Sequence, residues 1–392
     1  MFKKSLFKVE KYIRANEYRG YDPYDTLKSF IPFNIFGRFG AMIAIQLQKR
    51  NPINIRPLLG VRKGINPKAM GLFLKSYINL YKITGEEKYH KDSKFIFDWL
   101  KKNYSKGYKG YCWGYNFDWA NKDEYLKSYE PNVVVTGTII DAIFSYYKVF
   151  RDEDASEIIQ SASNFVAKDL PIIDIGSYKS IGYNTHSKNC CYNASLYGAL
   201  ILSLSDQLSG KNNYVSLINQ ILELIVSKQK DNGSWYYSYN IKNKTERKQI
   251  DFHQGYILVL LNDIMKNSSI NKNQIENSIQ LGVEFYKNEQ FFDNGRSKWR
   301  LPRDMPTDIH NQAQGIITFS KLSFLDDRYY LFAKTIADWT IYNMQDDKGF
   351  FYYQNCNLYK NKIPYIRWSQ AWMFLALTEL ILCIKKMNNE SN

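Results

Sequence analysis

The sequence predicts an all-α fold, an (α/α)6 toroid of six helical hairpins with aromatic loops at one end. Three observations predict it. Six apolar segments with helical spacing start roughly sixty residues apart, which marks a repeat architecture. Second, more amphipathic helical segments lie between them. After each second segment a glycine-aromatic loop leads into the next apolar one.

The elements follow in order. The chain opens on MFKKSLFKVEKYIRANEY, which is charged and lacks a continuous apolar stretch, so no signal peptide is read there. RGYDPYD, from Arg19 to Asp25, combines Gly, Pro and paired Asp into a turn. Lying ahead of the ring, it is expected to fold across the cavity with Asp22 and Tyr24 facing in. FNIFGRFGAMIAIQLQ is expected to supply the outer helix that closes the ring.

The inner helices are read in NPKAMGLFLKSYINLY from Asn66, PNVVVTGTIIDAIFSYY from Pro131 and NASLYGALILSLSDQL from Asn193. They continue in HQGYILVLLNDIM from His253, HNQAQGIITFSKLSFL from His310 and WSQAWMFLALTELILC from Trp368. These segments are apolar nearly all round and need burial on every side. The outer helices, among them EKYHKDSKFIFDWLKKNY and RYYLFAKTIADWTIYNM, keep Lys, Asp and Glu on one face. The loops are GYKGYCWGYNFDW, IGSYKSIGYNTHS, DNGSWYYSY, NGRSKWRL and DKGFFYYQN. A closed ring is preferred to an open solenoid because the inner helices need burial all round and their count reaches six. Residues 1–392 are therefore read as a single domain, with residues 1–34 as an N-terminal extension over the cavity.

Composition narrows the function classes. The 32 tyrosines each pair a flat apolar face with a hydroxyl, which suits a wet, concave surface for a polar ligand. The net charge of +15 implies attraction to polyanions: an acidic polysaccharide, an anionic membrane or nucleic acid. No long basic block, zinc-finger spacing or RNA-binding aromatic signature occurs, so no nucleic acid is expected. Five cysteines, odd in number and two of them adjacent, fit reduced thiols in a cytoplasmic protein. The apolar runs near Ala41–Leu47 and Trp372–Ile384 fall short of a membrane span. No transmembrane segment is expected, and peripheral membrane contact stays open. No GxGxxG, GxxxxGK[ST] or GxSxG motif is present, and no cofactor is expected.

In such a ring the loops and the starts of the inner helices share one end, so their polar residues should converge. Three of four histidines, His186, His253 and His310, fall in that phase, while His90 reads as a surface or packing residue on an outer helix. Histidine transfers protons best near neutral pH. No pair has ligand spacing such as HxxxH, and no metal is expected. Asp118, Asp251, Asp304 and Asp308 share the phase. They suit helix capping as well as acid-base work in a partly apolar cavity. Arg300 and Arg367 offer guanidinium forks for a carboxylate or phosphate. Trp113, Trp119, Trp235, Trp299 and Trp368 can stack on the apolar faces of sugars, with His186, Asn193 and Gln370 meeting hydroxyls.

The repeat resembles the six-hairpin glycosidase-like superfamily of unsaturated glucuronyl hydrolases, sugar epimerases and toroidal lyase domains. RGYDPYD, NPINIRPLLG, NPKAMGLFL, GYCWGYNFDW, YNASLYGA, DNGSWYY and DIHNQAQGIIT look like a microbial family found with polysaccharide biosynthesis genes. The resemblance spans nearly the whole chain. It implies a carbohydrate-active enzyme, of hydrolase, lyase or epimerase type, acting on an oligo- or polysaccharide that carries acidic groups or a lipid link. Hydrolysis would need two carboxylates, for which Asp118 and Asp251 are the candidates. Lyase or epimerase chemistry would draw on His253, His310, Tyr115 and Arg300. The rival readings are a non-catalytic glycan-binding or assembly partner and an isoprenoid cyclase. The cyclase is weakened because RDEDAS and LDDRYY fall at hairpin turns on the opposite end.

Overall fold

The structure is a computed structural model describing residues 1–121, 124–267 and 272–390. Thirteen α-helices lie within the described residues: α1 (Phe2–Ala15), α2 (Gly37–Arg50), α3 (Pro67–Thr84), α4 (Glu87–Lys102), α5 (Val133–Phe150), α6 (Glu153–Lys168), α7 (Tyr192–Ser209), α8 (Val215–Ser227), α9 (His253–Asn267), α10 (Lys272–Gln290), α11 (Ile309–Lys321), α12 (Asp327–Met344) and α13 (Trp372–Glu390). From α3 onward the odd-numbered helices form the inner ring, each packed on the next, with α13 returning onto α3. The even-numbered helices from α4 to α12 pack outside them. The fold is the (α/α)6 toroid that the repeat predicts.

The closure differs from expectation. FNIFGRFGAMIAIQLQ forms α2, and α2 is no part of the outer ring. It packs against the turn at Asp25–Lys28 and the hairpin strand at Trp119–Ala120. The sixth outer place belongs to α1, which packs on α13 and α12. Leu6, Val9 and Ile13 lie at three and four spacing and are fully buried, so α1 has the one-sided face an outer helix needs. Arg14 on α1 then pairs with Asp92 on α4, joining the last outer helix to the first.

Each inner helix starts where its sequence says. Asn66 caps α3 by accepting from the backbone of Lys68 at 3.0 Å and Ala69 at 3.3 Å, with Pro67 in the first turn. Asn132 caps α5 and Asp308 caps α11 in the same way. Among the described residues one helix, α5, is long and apolar enough to cross a membrane, but it lies between α3 and α7 with two thirds of its length buried.

The glycine-aromatic loops hold the two rings together. A side chain at Gly233 would sit 2.4 Å from the Leu281 carbonyl of α10, and one at Gly349 2.4 Å from the Lys8 carbonyl of α1. These glycines, at φ +89° and +98°, let each loop lie directly on the next outer helix. The chain then offers a backbone N–H to the coming inner helix. Trp235 donates to Gln254 at 2.8 Å, Ser297 to Gln312 at 2.6 Å and Phe351 to Gln370 at 2.8 Å. Trp113 donates likewise to Thr136, and Ile181 to Ser195. Much of the repeated polarity at the inner-helix starts is this internal clamp.

Candidate active site

Three inner-helix starts build the site. The first is DFH at α9. Asp251 is buried, and its Oδ1 lies 2.5 Å from His253 Nδ1. Its Oδ2 accepts from Gln249 at 2.7 Å and lies 3.5 Å from Arg300 Nε. Burial pushes this carboxyl up, but its pairing with His253 and the Arg300 guanidinium outweigh it and hold it below the ordinary aspartate value. The carboxylate fixes the proton of His253 on Nδ1 and leaves Nε2 as the basic nitrogen. His253 is partly exposed and packs against Phe252 at 4.2 Å and Tyr237 at 4.7 Å.

The second start is DIH at α11. Asp308 caps the helix through the His310 amide, and it also accepts from Trp368 Nε1 and Gln354 Nε2, each at 2.8 Å. Burial raises its pKa. His310 is buried among Phe252, Trp368 and Trp372, with ring centres 4.5 to 4.7 Å apart. Its Nε2 lies 2.5 Å from the Tyr256 hydroxyl. Burial, with Lys68 and Arg367 nearby, drives its pKa well below the usual histidine value. A neutral ring that accepts at Nε2 carries its proton at Nδ1. That nitrogen is buried without a partner.

The third start is a π-helical turn, Ile366–Ala371, leading into α13. It sets Arg367 and Trp368 over the ring. Arg367 makes a two-pronged pair with Asp22 at 2.6 and 2.7 Å, and both groups are buried. Tyr24 packs on Trp368 at 5.7 Å, and Lys49 of α2 reaches the Tyr24 hydroxyl at 2.6 Å. The RGYDPYD turn is thereby tied to the mouth. Tyr115, stacked on Phe117, lies 4.9 Å from the Arg367 guanidinium. Below, Tyr256 and Trp372 line a cavity of about 50 Å³ that continues down the barrel axis. One to three turns further along the inner helices it ends at ion pairs, Lys75 with Asp141 and Lys321 with Asp263.

Several predicted site residues lie elsewhere. Trp113 and Trp235 are fully buried in the core. Their indole N–H groups donate to the Leu100 and Ile225 carbonyls near the ends of α4 and α8, so neither offers a face for stacking. Gln370 is spent on the Phe351 clamp, accepting from its amide and donating to its carbonyl. Asn193 is buried and accepts from the Cys191 thiol. Asp118 accepts from Tyr125 and Ser128 and pins the hairpin that carries Trp119, in a different loop from Asp251. Asp304 is exposed, and His186, also exposed, lies 3.5 Å from Glu130. Trp299 is half-buried beneath the Arg300 guanidinium at 5.1 Å. His90 on α4 is partly exposed, hydrogen-bonded to Glu87 and stacked on Phe150, away from the site.

Phe252, Tyr256, Trp372, Lys49 and Lys68 are site residues that the sequence reading does not single out, and Lys68 is the least expected. Lys68, in the first turn of α3, is buried 5.4 Å from the Trp372 ring and 5.8 Å from the Tyr256 ring. Burial, helped by Arg367, brings its ammonium down to about 7. Its signal was a lone cation among apolar neighbours in NPKAMG. Among the described residues no cluster of three His, Cys, Asp or Glu side chains could hold a metal ion.

Similarity to solved structures agrees with this architecture. The chain superposes on a cellobiose 2-epimerase from Bacillus thermoamylovorans at TM-score 0.63 and 13% identity, covering 80% of this chain and 88% of that one. A sugar epimerase from a ruminal bacterium gives 0.63 and 12%, covering 82% and 88%. An unsaturated glucuronyl hydrolase specific for heparin gives 0.62 and 14%, covering 98% of each chain. The chain thus shares the (α/α)6 toroid fold of these proteins. No family model matches the sequence, and no curated protein sequence does either.

Proposed function

We propose that this protein is a carbohydrate-active enzyme that moves a proton at a sugar carbon beside a carbonyl or carboxylate, an epimerase- or lyase-type reaction. One observation carries this reading: two histidines in opposite roles touch the same aromatic ring, Phe252. His253, backed by Asp251, takes the carbon proton on Nε2. His310, neutral and protonated on Nδ1, returns one from that nitrogen while the Tyr256 hydroxyl protonates its Nε2, and solvent carries the proton from His253 back to Tyr256 after product release. Arg300 and Lys68 offset the negative charge that develops on the substrate oxygen between these steps.

Hydrolysis is the weaker reading. It needs two carboxylates flanking one bond, and Asp251 and Asp308 are each engaged by several protein donors. Arg300, Lys49 and Lys68 around the mouth support an acidic sugar, and Trp368 with Tyr24 supplies an aromatic wall. Two of the fold relatives are sugar epimerases, which supports proton transfer as the chemistry. A cytoplasmic setting in surface polysaccharide assembly completes the proposal, and five cysteines that form no disulfide are consistent with it.

The test is mass spectrometry of neutral and uronate oligosaccharides after incubation with the protein in heavy water. Uptake of deuterium at carbon, or loss of a substituent with formation of a carbon–carbon double bond, is the expected result. Cleavage by addition of water with no carbon-bound deuterium would make the protein a hydrolase. Binding without any mass change would make it a glycan-binding partner.

A further inference from the structure

An exposed apolar stripe lies on α2 beside the mouth. On α2, Phe39, Ile43 and Leu47 recur at helical spacing and are 58%, 53% and 66% exposed, continuing from Phe36 at 77%. The opposite face of the same helix buries Ala41, Ala44 and Ile45. A soluble helix needs one apolar stripe, and this one has two. Ile53 and Leu58 extend the outward stripe into the following loop, 69% and 78% exposed. A patch of this kind marks an interaction surface.

We infer that this face seats the protein on an anionic lipid surface. The charge pattern selects the occupant. Residues 26–65 contain seven Lys and Arg and no Asp or Glu. Arg38, Arg50, Arg62 and Lys63 are exposed around the apolar stripe. A second copy docked by a two-fold axis would set this basic field against itself. A bilayer bearing acidic headgroups takes the apolar side chains and the cations together, as amphipathic basic helices lying in the interface do. The position of α2 gives the contact a use. Lys49 on its last turn holds Tyr24 and lies 5.5 Å from Trp368, so a seated α2 brings the mouth to the membrane. A sugar carried on a lipid would reach the site from there. The membrane seat stands independently of the proton-transfer reading.

Flotation with vesicles of equimolar phosphatidylcholine and phosphatidylglycerol, against pure phosphatidylcholine, tests the inference. The wild-type protein is expected to float with the anionic vesicles at low salt and to release at high salt. The double variant Phe39→Ser, Leu47→Ser and the charge variant Arg38→Glu, Arg50→Glu are each expected to lose at least about tenfold in partitioning. All four side chains are exposed on the helix or at its end, and unchanged melting curves would show both variants folded. No flotation at low salt would overturn the inference, and so would equal binding to pure phosphatidylcholine or undiminished binding by both variants. Light scattering that shows a wild-type dimer split by Phe39→Ser, Leu47→Ser would assign the face to a second copy instead.

Discussion

Tryptophan separates the two kinds of residue in the loops. Trp235 lies on the Gly282 backbone of α10 and donates to the Ile225 carbonyl. Trp368 caps the site and holds Asp308. Trp235→Ala is expected to cost about 3–5 kcal/mol of stability, seen as a drop in the denaturant midpoint. Trp368→Phe is expected to leave that midpoint nearly unchanged while weakening sugar binding in a titration calorimeter. His310 yields a second prediction at this scale. The native state holds it neutral while the unfolded chain takes up a proton near the ordinary value of 6.5. The unfolded state therefore binds more protons below that pH, and stability falls as pH falls, by up to about 1.4 kcal/mol per unit. His310→Gln removes the effect, so the wild type should lose melting temperature faster than the variant between pH 7 and pH 5. Parallel curves would mean that His310 titrates freely. His253 and His310 stand out in the sequence because histidine is rare and falls at one phase of the repeat, a phase that Asp251 and Arg300 share. The sequence also places Trp113, Trp235 and Gln370 there, since the clamp and the site use that same phase. Which way a side chain turns from a shared position is decided by packing, and no spacing records it.

At the scale of elements, the loop clamp sets where each inner helix begins. Gly233→Ala is expected to destabilise the fold by well over the about 1 kcal/mol of an ordinary helix substitution, because the new Cβ would meet the Leu281 carbonyl at 2.4 Å. Thermal melting reads it directly, and a neutral result would show that the loop can lift off α10. Gln254→Ala breaks both bonds to Trp235 and should also shift His253, three backbone bonds upstream at the head of α9. The hairpins themselves were legible because burial on all sides leaves apolar residues all round a helix. The sixth outer helix was not. Its buried Leu6, Val9 and Ile13 are diluted by lysines, whereas α2 carries the richer apolar run because it faces outward as well as inward.

The whole molecule is a ring closed by its own N-terminus. Ser5 Oγ donates to Gln345 Oε1 at 2.7 Å, Gly349 lies on Lys8, and Arg14 reaches α4. Deleting residues 1–15 is expected to leave α13 uncovered and to lower the melting temperature sharply. A truncated protein as stable as the full chain would show that the other hairpins close unaided. The same N-terminal region continues into the Asp22–Arg367 pair, so ring closure and the wall of the site are built from one stretch of chain. The central claim concerns what that wall encloses, two histidines that exchange one proton with a sugar carbon. The most direct measurement compares carbon-bound deuterium in sugar incubated in heavy water with the wild type, His253→Asn or His310→Asn. The account predicts uptake by the wild type and a fall of at least about a hundredfold in each variant. Undiminished uptake in both variants, or cleavage of the sugar by addition of water with no deuterium on carbon, would contradict it.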